Sequence, residues 1–406
     1  MKIMMIILDG LGDRPVKEFN MMTPLECATK PIMNELAFRG INGIIDPISP
    51  GIRPGSAPAH ISLFGYNPYE DNMGRGPFEA LGLGEKLEHE DIAIRCNFAT
   101  LNNEGTIIDR RAGRSTMGLK EITDSLNDLD IIGVKFKFLY NPLLYHRAVL
   151  ILDGKDLSDN ISDSDPGNNY KPLKIQPLDF SKEAEQTAEL LNQILTSANK
   201  ILGNHPSNEL RRKNDIPIAN IILTRGAGRI KSLETFENRY SLRAVCIAGG
   251  ILYKGVARAL GMDIIDVPKA TASTDTDINA KITEAIASLK KYDFVYLHFK
   301  GADVAGENGD FMDKKKFIER VDRGLAPLLE LSDDIIVITG DHATPVSIKT
   351  HSGDPIPICI NGPSVLMDDV TEFSERMAAH GGLSRISGKN LMPILIDLIN
   401  KAHKVD

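Results

Sequence analysis

The sequence predicts an α/β fold around a mostly parallel sheet, with an α+β domain inserted into it. Two continuous apolar runs, Ile3–Leu8 and Ile335–Ile338, are typical of strands buried on both faces of a parallel sheet. After residue 240, strand-like runs alternate with helix-like segments, as they do in parallel sheets with crossover helices. We therefore divide the chain into a discontinuous core domain, residues 1–66 and 240–406, and an inserted domain, residues 67–239.

The composition is that of an ordinary globular protein and narrows the classes of function. Of the 406 residues, 42% are hydrophobic and 25% are charged, and the formal net charge is −8. Because nucleic acids attract positive surfaces, this charge argues against general nucleic-acid binding. The four widely spaced cysteines form no CxxC pair, which indicates reduced thiols and a cytoplasmic location. The apolar run at residues 3–8 is too short to cross a bilayer, so we expect no membrane association.

The segment IIVITGDHATPVSIKTH, residues 335–351, carries the strongest chemical signal. Asp341 and His342 follow the predicted strand directly, and His351 comes shortly afterwards. Carboxylate and imidazole groups are donors that divalent metal ions take from proteins. These side chains fall beyond the carboxyl end of a strand, where open parallel sheets bind ligands. Taken alone, an Asp-His pair that only caps a turn is the alternative interpretation.

Three further segments repeat this pattern. Asp9 follows the first strand, and Asp303, with Glu307 four residues later, follows a predicted strand that begins at residue 293. Ser56 lies in a loop rich in Pro, Gly and Ser, ahead of a short helix that carries His60. Read singly, Ser56 is expected to be a helix cap and His60 a buried structural histidine. Because parallel strands end at one edge of the sheet, we expect these groups to converge around two metal ions, one of which would activate the Ser56 hydroxyl.

The inserted region carries a basic cluster that is unexpected in an acidic protein. Asp109, Arg110, Arg111 and Arg114 lie in IIDRRAGR, Arg225 and Arg229 lie in LTRGAGR, and His146 with Arg147 is a separate basic point between these motifs. Guanidinium groups bind phosphate and carboxylate through paired hydrogen bonds, and surface salt bridges are the alternative. In the core domain, Lys254 lies in the first turn of a predicted helix, where it would reach an anion.

Helices are also expected from apolar periodicity and capping residues. The predicted ranges are 24–40, Ser181–Leu202, 251–260, 279–290 and 312–331, the last with a kink at Pro327.

As a set, the motifs GDHATP, KGADVAG, ILDGLGDRP and GSAPAH resemble those of the alkaline phosphatase superfamily. IIDRRAGR, LTRGAGR and the turn before Lys254 are similar, more specifically, to the archaeal-type, cofactor-independent phosphoglycerate mutases. The resemblance covers essentially the whole chain. It implies an alkaline-phosphatase-like three-layer sandwich around a mostly parallel sheet. It also implies interconversion of 3-phosphoglycerate and 2-phosphoglycerate through a phosphoserine at Ser56, without 2,3-bisphosphoglycerate.

The resemblance further implies two ligand sets. One metal ion would be held by Asp9, Ser56, Asp341 and His342, and the other by Asp303, His351 and residue 307. The family has histidine at that last position, whereas this chain has Glu307. A carboxylate is a harder ligand, which favours Mn²⁺ or Mg²⁺ over Zn²⁺, with Co²⁺ also possible. A weaker second metal site, or a Glu307 side chain that points away, are the alternatives.

The remaining roles also follow from the resemblance. Asp109 would transfer protons to and from the glycerate hydroxyls, and Lys254 and the arginines would neutralise charge. The inserted domain would act as a lid over a small phosphorylated acid. A phosphatase, phosphodiesterase or sulfatase on the same core, a phosphopentomutase, and an inactive metal-stabilised binding protein are the competing hypotheses.

Overall fold

The computed structural model describes residues 1–131, 133–402 and 404. The chain forms two compact units: unit 1 comprises residues 1–72 and 233–406, and unit 2 comprises residues 73–232. The sequence-based division, at 66/67 and 239/240, falls a few residues from each of these boundaries.

The strands and helices follow one another along both units. The strands are β1 (Ile3–Leu8), β2 (Gly40–Asp46), β3 (Ile92–Leu101), β4 (Ile107–Asp109), β5 (Phe136–Leu139), β6 (Arg147–Leu152), β7 (Ile221–Arg229), β8 (Ala244–Ile247), β9 (Asp263–Ile264), β10 (Phe294–Phe299), β11 (Ile335–Thr339), β12 (Ile356–Asn361) and β13 (Ser384–Ser387). The α-helices are α1 (Pro24–Cys27), α2 (Pro31–Phe38), α3 (Ser56–Leu63), α4 (Arg75–Gly82), α5 (Leu119–Asn127), α6 (Lys182–Asn204), α7 (Pro206–Lys213), α8 (Phe236–Tyr240), α9 (Ile251–Ala259), α10 (Ile278–Ser288), α11 (Gly301–Asn308), α12 (Phe311–Gly324), α13 (Glu375–Ala378) and α14 (Leu391–Leu398).

Unit 1 is built on an eight-stranded sheet in the order β13-β2-β12-β11-β1-β10-β8-β9. β1 lies between β11 and β10 and runs parallel to both, and each of its six residues is buried. β12 is antiparallel to its two neighbours, while the other pairings are parallel. The predicted α/β class with a mostly parallel sheet is therefore confirmed.

The register of the three central strands determines where their loops begin. Leu8 of β1 is paired with Phe299 of β10, and Ile7 with Thr339 of β11. Because the strands run parallel and end nearly level, the residues that follow them emerge at one edge of the sheet. Asp9 is the first of those residues.

Unit 2 is built on a five-stranded antiparallel sheet. β3 is its central strand and pairs antiparallel with β4, β6 and β7, and β5 pairs with β6. One face packs against the apolar sides of α5 and α6, where Ile122, Leu191 and Ile194 are fully buried. Ala80 of α4 covers the opposite face. The long α6 matches the amphipathic helix expected from Ser181 to Leu202, and Ser181 caps its first turn.

The single helix predicted for residues 24–40 is wrong, because the chain forms the separate helices α1 and α2 there. Pro31 begins α2, and Lys30 before it has φ −136° and ψ 59°, outside the helical region. A proline ring disfavours helical geometry in the residue that precedes it, so the helix breaks at this point. The helix predicted for 312–331 likewise ends at Gly324, and Pro327 lies in the 3₁₀ segment Ala326–Glu330 that follows.

All four cysteines are free thiols, and Cys96, Cys246 and Cys359 are buried. Burial raises the pKa of these three thiols, so they stay protonated and unreactive. In the described part of the chain, no helix is both long enough and apolar enough to traverse a lipid bilayer.

Candidate metal centre

Two groups of candidate ligands lie at the edge of the sheet where β1, β10 and β11 end. In each group, ligand atoms lie within 4.8 Å of one another: Asp9, Asp341 and His342 in the first, and Asp303, His342 and His351 in the second. His342 belongs to both, and its ring stacks on that of His351 with the centroids 3.5 Å apart. The structure thus brings together five of the predicted ligands from three distant segments.

Ser56 joins this cluster from the start of α3. The helix cap is Gly55, and Ser56 is the first helical residue, so the capping interpretation of Ser56 is wrong. Its buried Oγ lies 3.3 Å from His342 Nε2. One turn later, buried His60 donates a hydrogen bond of 2.7 Å from Nδ1 to the Ser56 carbonyl oxygen, as expected for a structural histidine. Burial lowers the pKa of His60 to about 4, so this ring is neutral.

Hydrogen bonds on the far side of two imidazole rings determine which nitrogen faces the cluster. His351 donates from Nδ1 to the Pro54 carbonyl oxygen at 2.8 Å. The Thr344 hydroxyl donates its hydrogen to Asp303 at 2.6 Å, so His342 Nδ1, 3.0 Å away, must be the donor to Thr344. Both rings therefore present an Nε2 lone pair to the cluster. Such ring orientation by a second hydrogen bond is usual for metal-binding histidines.

The cluster buries three carboxylates. Asp341 accepts from the Gly10 N–H at 3.1 Å through Oδ1, whereas its buried Oδ2 has no hydrogen-bond partner and lies 3.3 Å from His342 Nε2. Burial, together with the nearby charge of Asp9, raises the pKa of Asp341 well above its ordinary value. An unpartnered carboxylate oxygen beside an imidazole lone pair fits a metal ion, which would take both as ligands.

Two residues that the sequence analysis missed contact Asp9. His298 in β10 lies 3.0 Å from Asp9 Oδ2 through Nε2, and Lys300 Nζ lies 2.9 Å from Asp9 Oδ1. Burial lowers the pKa of His298 to about 3, so it donates as a neutral ring. Burial alone would raise the pKa of Asp9, but Lys300 and the His298 hydrogen bond outweigh it and lower that pKa well below the ordinary value. The sequence did contain signals for both residues: His298 is a polar residue within an apolar strand, and Lys300 directly follows that strand.

A buried lysine holds together the loops that follow β1 and β11. Lys314 of α12 is fully buried and donates to the carbonyl oxygens of Gly12 and Thr344, each at 3.0 Å, and to the Asp13 carboxylate at 2.7 Å. All three donor positions of the ammonium are therefore used. This side chain, which sequence reasoning also missed, joins the two loops, together with the backbone hydrogen bond of 3.0 Å from the Thr344 N–H to the Gly12 carbonyl oxygen.

Two predicted residues of unit 1 stand apart from the ligand groups. Glu307, one turn after Asp303 on α11, is half-buried and belongs to neither group of ligand atoms within 4.8 Å. Lys254 lies in the first turn of α9, as expected, but its Nζ is 2.5 Å from Asp266 Oδ1. The functional roles of both residues stay predictions.

In unit 2, several arginines of the basic cluster pair with acids. Arg110 binds Asp165 through two nitrogens, with Nε–Oδ1 at 2.9 Å and Nη2–Oδ2 at 2.5 Å. Arg147 binds Glu79 at 2.7 Å, and Arg225 lies 3.9 Å from Asp165. The side chains of Asp165 and Glu79 are fully buried, whereas Arg225 also lies 3.6 Å from the exposed Asp163. Ion pairing therefore occupies part of the basic cluster, and its role in binding an anion stays a prediction.

Asp109 organises the loop that carries the other arginines. Its carboxylate accepts from the backbone N–H groups of Arg111 at 2.8 Å and Gly113 at 2.6 Å. Ala112, Gly113 and Arg114 have φ values of 41°, 68° and 55°, a run of left-handed backbone that is strained for residues other than glycine. Because both Asp109 oxygens are engaged by the backbone, its role in proton transfer stays a prediction.

Arg211 of α7, another residue that the sequence analysis missed, anchors the same loop. It is fully buried and donates to the carbonyl oxygens of Ala112 and Met117, each at 2.5 Å, and of Pro217 at 2.9 Å. In the sequence it was one of three consecutive basic residues on a polar helix, which gave no sign that it was buried.

Two further polar side chains of unit 2 are buried with an unpartnered nitrogen: Nδ1 of His146 and Nη1 of Arg95, the latter missed by the sequence analysis. Burial, together with the charges of Arg147 and Arg95, lowers the pKa of His146 to about 2. Arg95 is paired with Arg225 across the β3–β7 ladder. The charges of Arg111 and Arg114 also act on this neutral imidazole, and such a concentration of positive charge suits an anion.

Comparisons with known proteins agree with the fold. A family model described as the metalloenzyme superfamily matches residues 1–398. A 2,3-bisphosphoglycerate-independent phosphoglycerate mutase from Methanothermobacter thermautotrophicus is 48% identical over 100% of this chain and 99% of the relative. One from Methanocaldococcus jannaschii is 45% identical over 99% of this chain and 98% of the relative.

Solved structures give the same result. A protein from Pyrococcus horikoshii is 39% identical with a TM-score of 0.85, covering 100% of this chain and 99% of that chain. The cofactor-independent phosphoglycerate mutase from Thermoplasma acidophilum is 39% identical with a TM-score of 0.67, covering 98% of this chain and 100% of that chain. The chain is thus a member of the metalloenzyme superfamily and, within it, of the 2,3-bisphosphoglycerate-independent phosphoglycerate mutase family. Membership of that superfamily implies bound metal ions.

We expect Arg211→Met to lower the free energy of unfolding by about 2–3 kcal/mol, because it leaves buried carbonyl oxygens without a donor. It should also speed proteolytic cleavage within residues 109–118. Urea unfolding and limited proteolysis measure the two effects. Arg212→Met, at the exposed neighbouring position, is the matched control and should change neither. Equal behaviour of the two variants would show that Arg211 does not anchor the loop.

Proposed function

We propose that this chain interconverts 3-phosphoglycerate and 2-phosphoglycerate through a phosphoserine at Ser56. The main support is the buried Ser56 hydroxyl, 3.3 Å from His342 Nε2, since His342 belongs to both candidate ligand groups. The relatives that share 41–48% of the sequence are named as mutases of this kind. A buried serine hydroxyl beside acids and imidazoles suits transfer through one covalent intermediate.

Two divalent ions are proposed for the cluster, with Mn²⁺ ahead of Mg²⁺, Co²⁺ and Zn²⁺. The first would be held by Asp9, Ser56, Asp341 and His342, and the second by Asp303, His351 and Glu307, with His342 close to both. The proportion of carboxylate oxygen in these sets supports a hard ion. When bound, such ions lower the pKa of a serine hydroxyl and offset the charge of phosphoryl oxygens.

In the first half-reaction, a bond forms from Ser56 Oγ to phosphorus as the bond from phosphorus to the C3 oxygen of glycerate breaks. The proton lost by the serine hydroxyl is balanced by the one that the glycerate oxygen gains. In the second half-reaction, the C2 hydroxyl of the same glycerate takes the phosphoryl group back and Ser56 regains a proton. Ser56 opens α3, so the N–H groups of that first turn favour the phosphoryl oxygens. Neither water nor 2,3-bisphosphoglycerate is consumed.

The basic residues of unit 2 are proposed to bind the anionic groups of glycerate and phosphoglycerate. Those residues are Arg110, Arg111, Arg114, Arg147 and Arg225, with the neutral imidazole of His146 as a further polar contact, and Lys254 of unit 1 would add another cation. The buried acids Asp165 and Glu79 hold two of the guanidinium planes in place, which favours recognition in one orientation. A mutase must keep glycerate bound between the half-reactions, and we propose that unit 2 serves this purpose.

The substrate is therefore a small phosphorylated acid. We also infer a cytoplasmic location, because reduced thiols are usual there and all four cysteines are unpaired.

The proposed function predicts metal-dependent formation of 2-phosphoglycerate. Purified protein should convert 3-phosphoglycerate in an enolase-coupled assay, lose that activity after treatment with a chelator and regain it with Mn²⁺. Inorganic phosphate should stay at background throughout. Release of phosphate without 2-phosphoglycerate would identify a phosphatase instead, and turnover of ribose 1-phosphate alone would identify a phosphopentomutase.

Ser56→Ala should abolish turnover while retaining most of the bound metal, because the carboxylates and imidazoles remain. Metal content is measured by elemental analysis, and activity by the coupled assay. Ser49→Ala, on the exposed part of the preceding loop, serves as the control and should keep full activity. Undiminished turnover in Ser56→Ala would rule out the phosphoserine route.

Glu307→His tests whether residue 307 is a metal ligand. Imidazole is a softer donor than carboxylate, so the variant should remain active and shift its preference from Mn²⁺ towards Co²⁺ and Zn²⁺. Activity of the metal-free protein reconstituted with each ion in turn gives that preference. An unchanged order of the three ions would remove Glu307 from the proposed ligands.

A further inference from the structure

Lys300 touches carboxylates from both candidate ligand groups. Its Nζ lies 2.9 Å from Asp9 Oδ1 and 2.5 Å from Asp303 Oδ2. Asp9 belongs to the first group and Asp303 to the second. The lysine ammonium therefore spans the two halves of the cluster, at the oxygens that metal ions would use.

The charge of Lys300 is needed because its partners are almost inaccessible to water. The exposed fractions are 0% for Asp9 and 1% for Asp303. Burying carboxylates without a counter-charge is costly, and their mutual repulsion adds to that cost. The Lys300 ammonium lies against both carboxylates and supplies the counter-charge that they need.

An ammonium and a divalent ion compete for the same oxygens. Two positive charges a few ångströms apart within a poorly solvated cluster repel strongly. Lys300 precedes the first residue of α11, so its backbone is fixed, but its four-carbon stem is flexible and its side chain is 18% exposed. The ammonium therefore has a route away from the carboxylates without any change in the chain path.

We propose that Lys300 is an internal substitute for the metal ions: its ammonium holds Asp9 and Asp303 together in the metal-free protein and is displaced when divalent ions bind. This inference rests on the metal centre of the proposed function. It assigns Lys300 a positioning role, in which it keeps the ligand carboxylates in place and sets the affinity for metal.

The test compares Lys300→Met, which keeps the stem and removes the charge, with Lys300→Arg, which keeps the charge. Lys316→Met, at an exposed lysine of α12, is the matched control. Thermal melting in the presence of a chelator measures the stability of the metal-free protein, and calorimetric titration with Mn²⁺ measures affinity.

Lys300→Met should melt about 5 °C or more below the parent protein in chelator, because two buried carboxylates lose their counter-charge. It should also bind Mn²⁺ roughly tenfold or more tightly, because the competing cation is gone. Saturating Mn²⁺ should bring its melting temperature close to that of the parent. Lys300→Arg should keep the metal-free melting temperature, and Lys316→Met should match the parent in both measurements.

Unchanged metal-free melting together with unchanged or weaker Mn²⁺ binding in Lys300→Met would overturn the inference. If that variant does not fold in chelator, recovery on adding Mn²⁺ supports the inference. If it folds in neither condition, Lys300→Gln is measured by the same two criteria and decides.

Neither measurement involves phosphoglycerate, so the inference and the proposed function can fail separately. A parent protein that is an active Mn²⁺-dependent mutase, combined with a Lys300→Met variant that shows neither shift, contradicts the inference alone. Both shifts in a chain without mutase activity support the inference and contradict the proposed function.

Discussion

Repulsion among three buried carboxylates is the physical constraint on which unit 1 depends. Asp9, Asp303 and Asp341 lie at one edge because β1, β10 and β11 are adjacent, parallel and nearly level at their ends. No arrangement of apolar packing makes such a cluster favourable, so positive charge and hydrogen-bond donors must be supplied to it. Lys300, His298 and the Gly10 N–H do so within the described residues.

Unit 2 also pairs buried charged groups with opposite charges, but there the carboxylates stabilise the positive groups. There the excess charge is positive, and the buried carboxylates of Glu79 and Asp165 hold guanidinium groups in fixed orientations. Arg211 stabilises a loop in a similar way, but its partners are uncharged carbonyl oxygens. That loop has unfavourable backbone angles. In both units, holding polar groups in fixed positions lowers the free energy of unfolding, which is typical of sites that must recognise charge.

The fold class and the central candidate ligands could be predicted because their signals are local. A short apolar run that ends next to or close to an acid indicates both a buried strand and its exit, and this signal pointed to Asp9 and Asp341. Lys300 and His298 were missed because their importance comes from the neighbouring strand: only the β1–β10 register places them against Asp9. The helix break at Pro31 could have been predicted from the sequence, because proline constrains the residue before it. The burial of Arg211 could not, because it depends on a loop that is distant in the sequence.

The hydrogen bond from His351 to the Pro54 carbonyl oxygen has a wider consequence. Pro54 lies two residues before Ser56, so one imidazole both faces Asp303 and binds the peptide that leads to Ser56. The position of the Ser56 hydroxyl is therefore coupled to that of the candidate ligands through a segment only two residues long. An insertion between residues 54 and 56 would break this coupling.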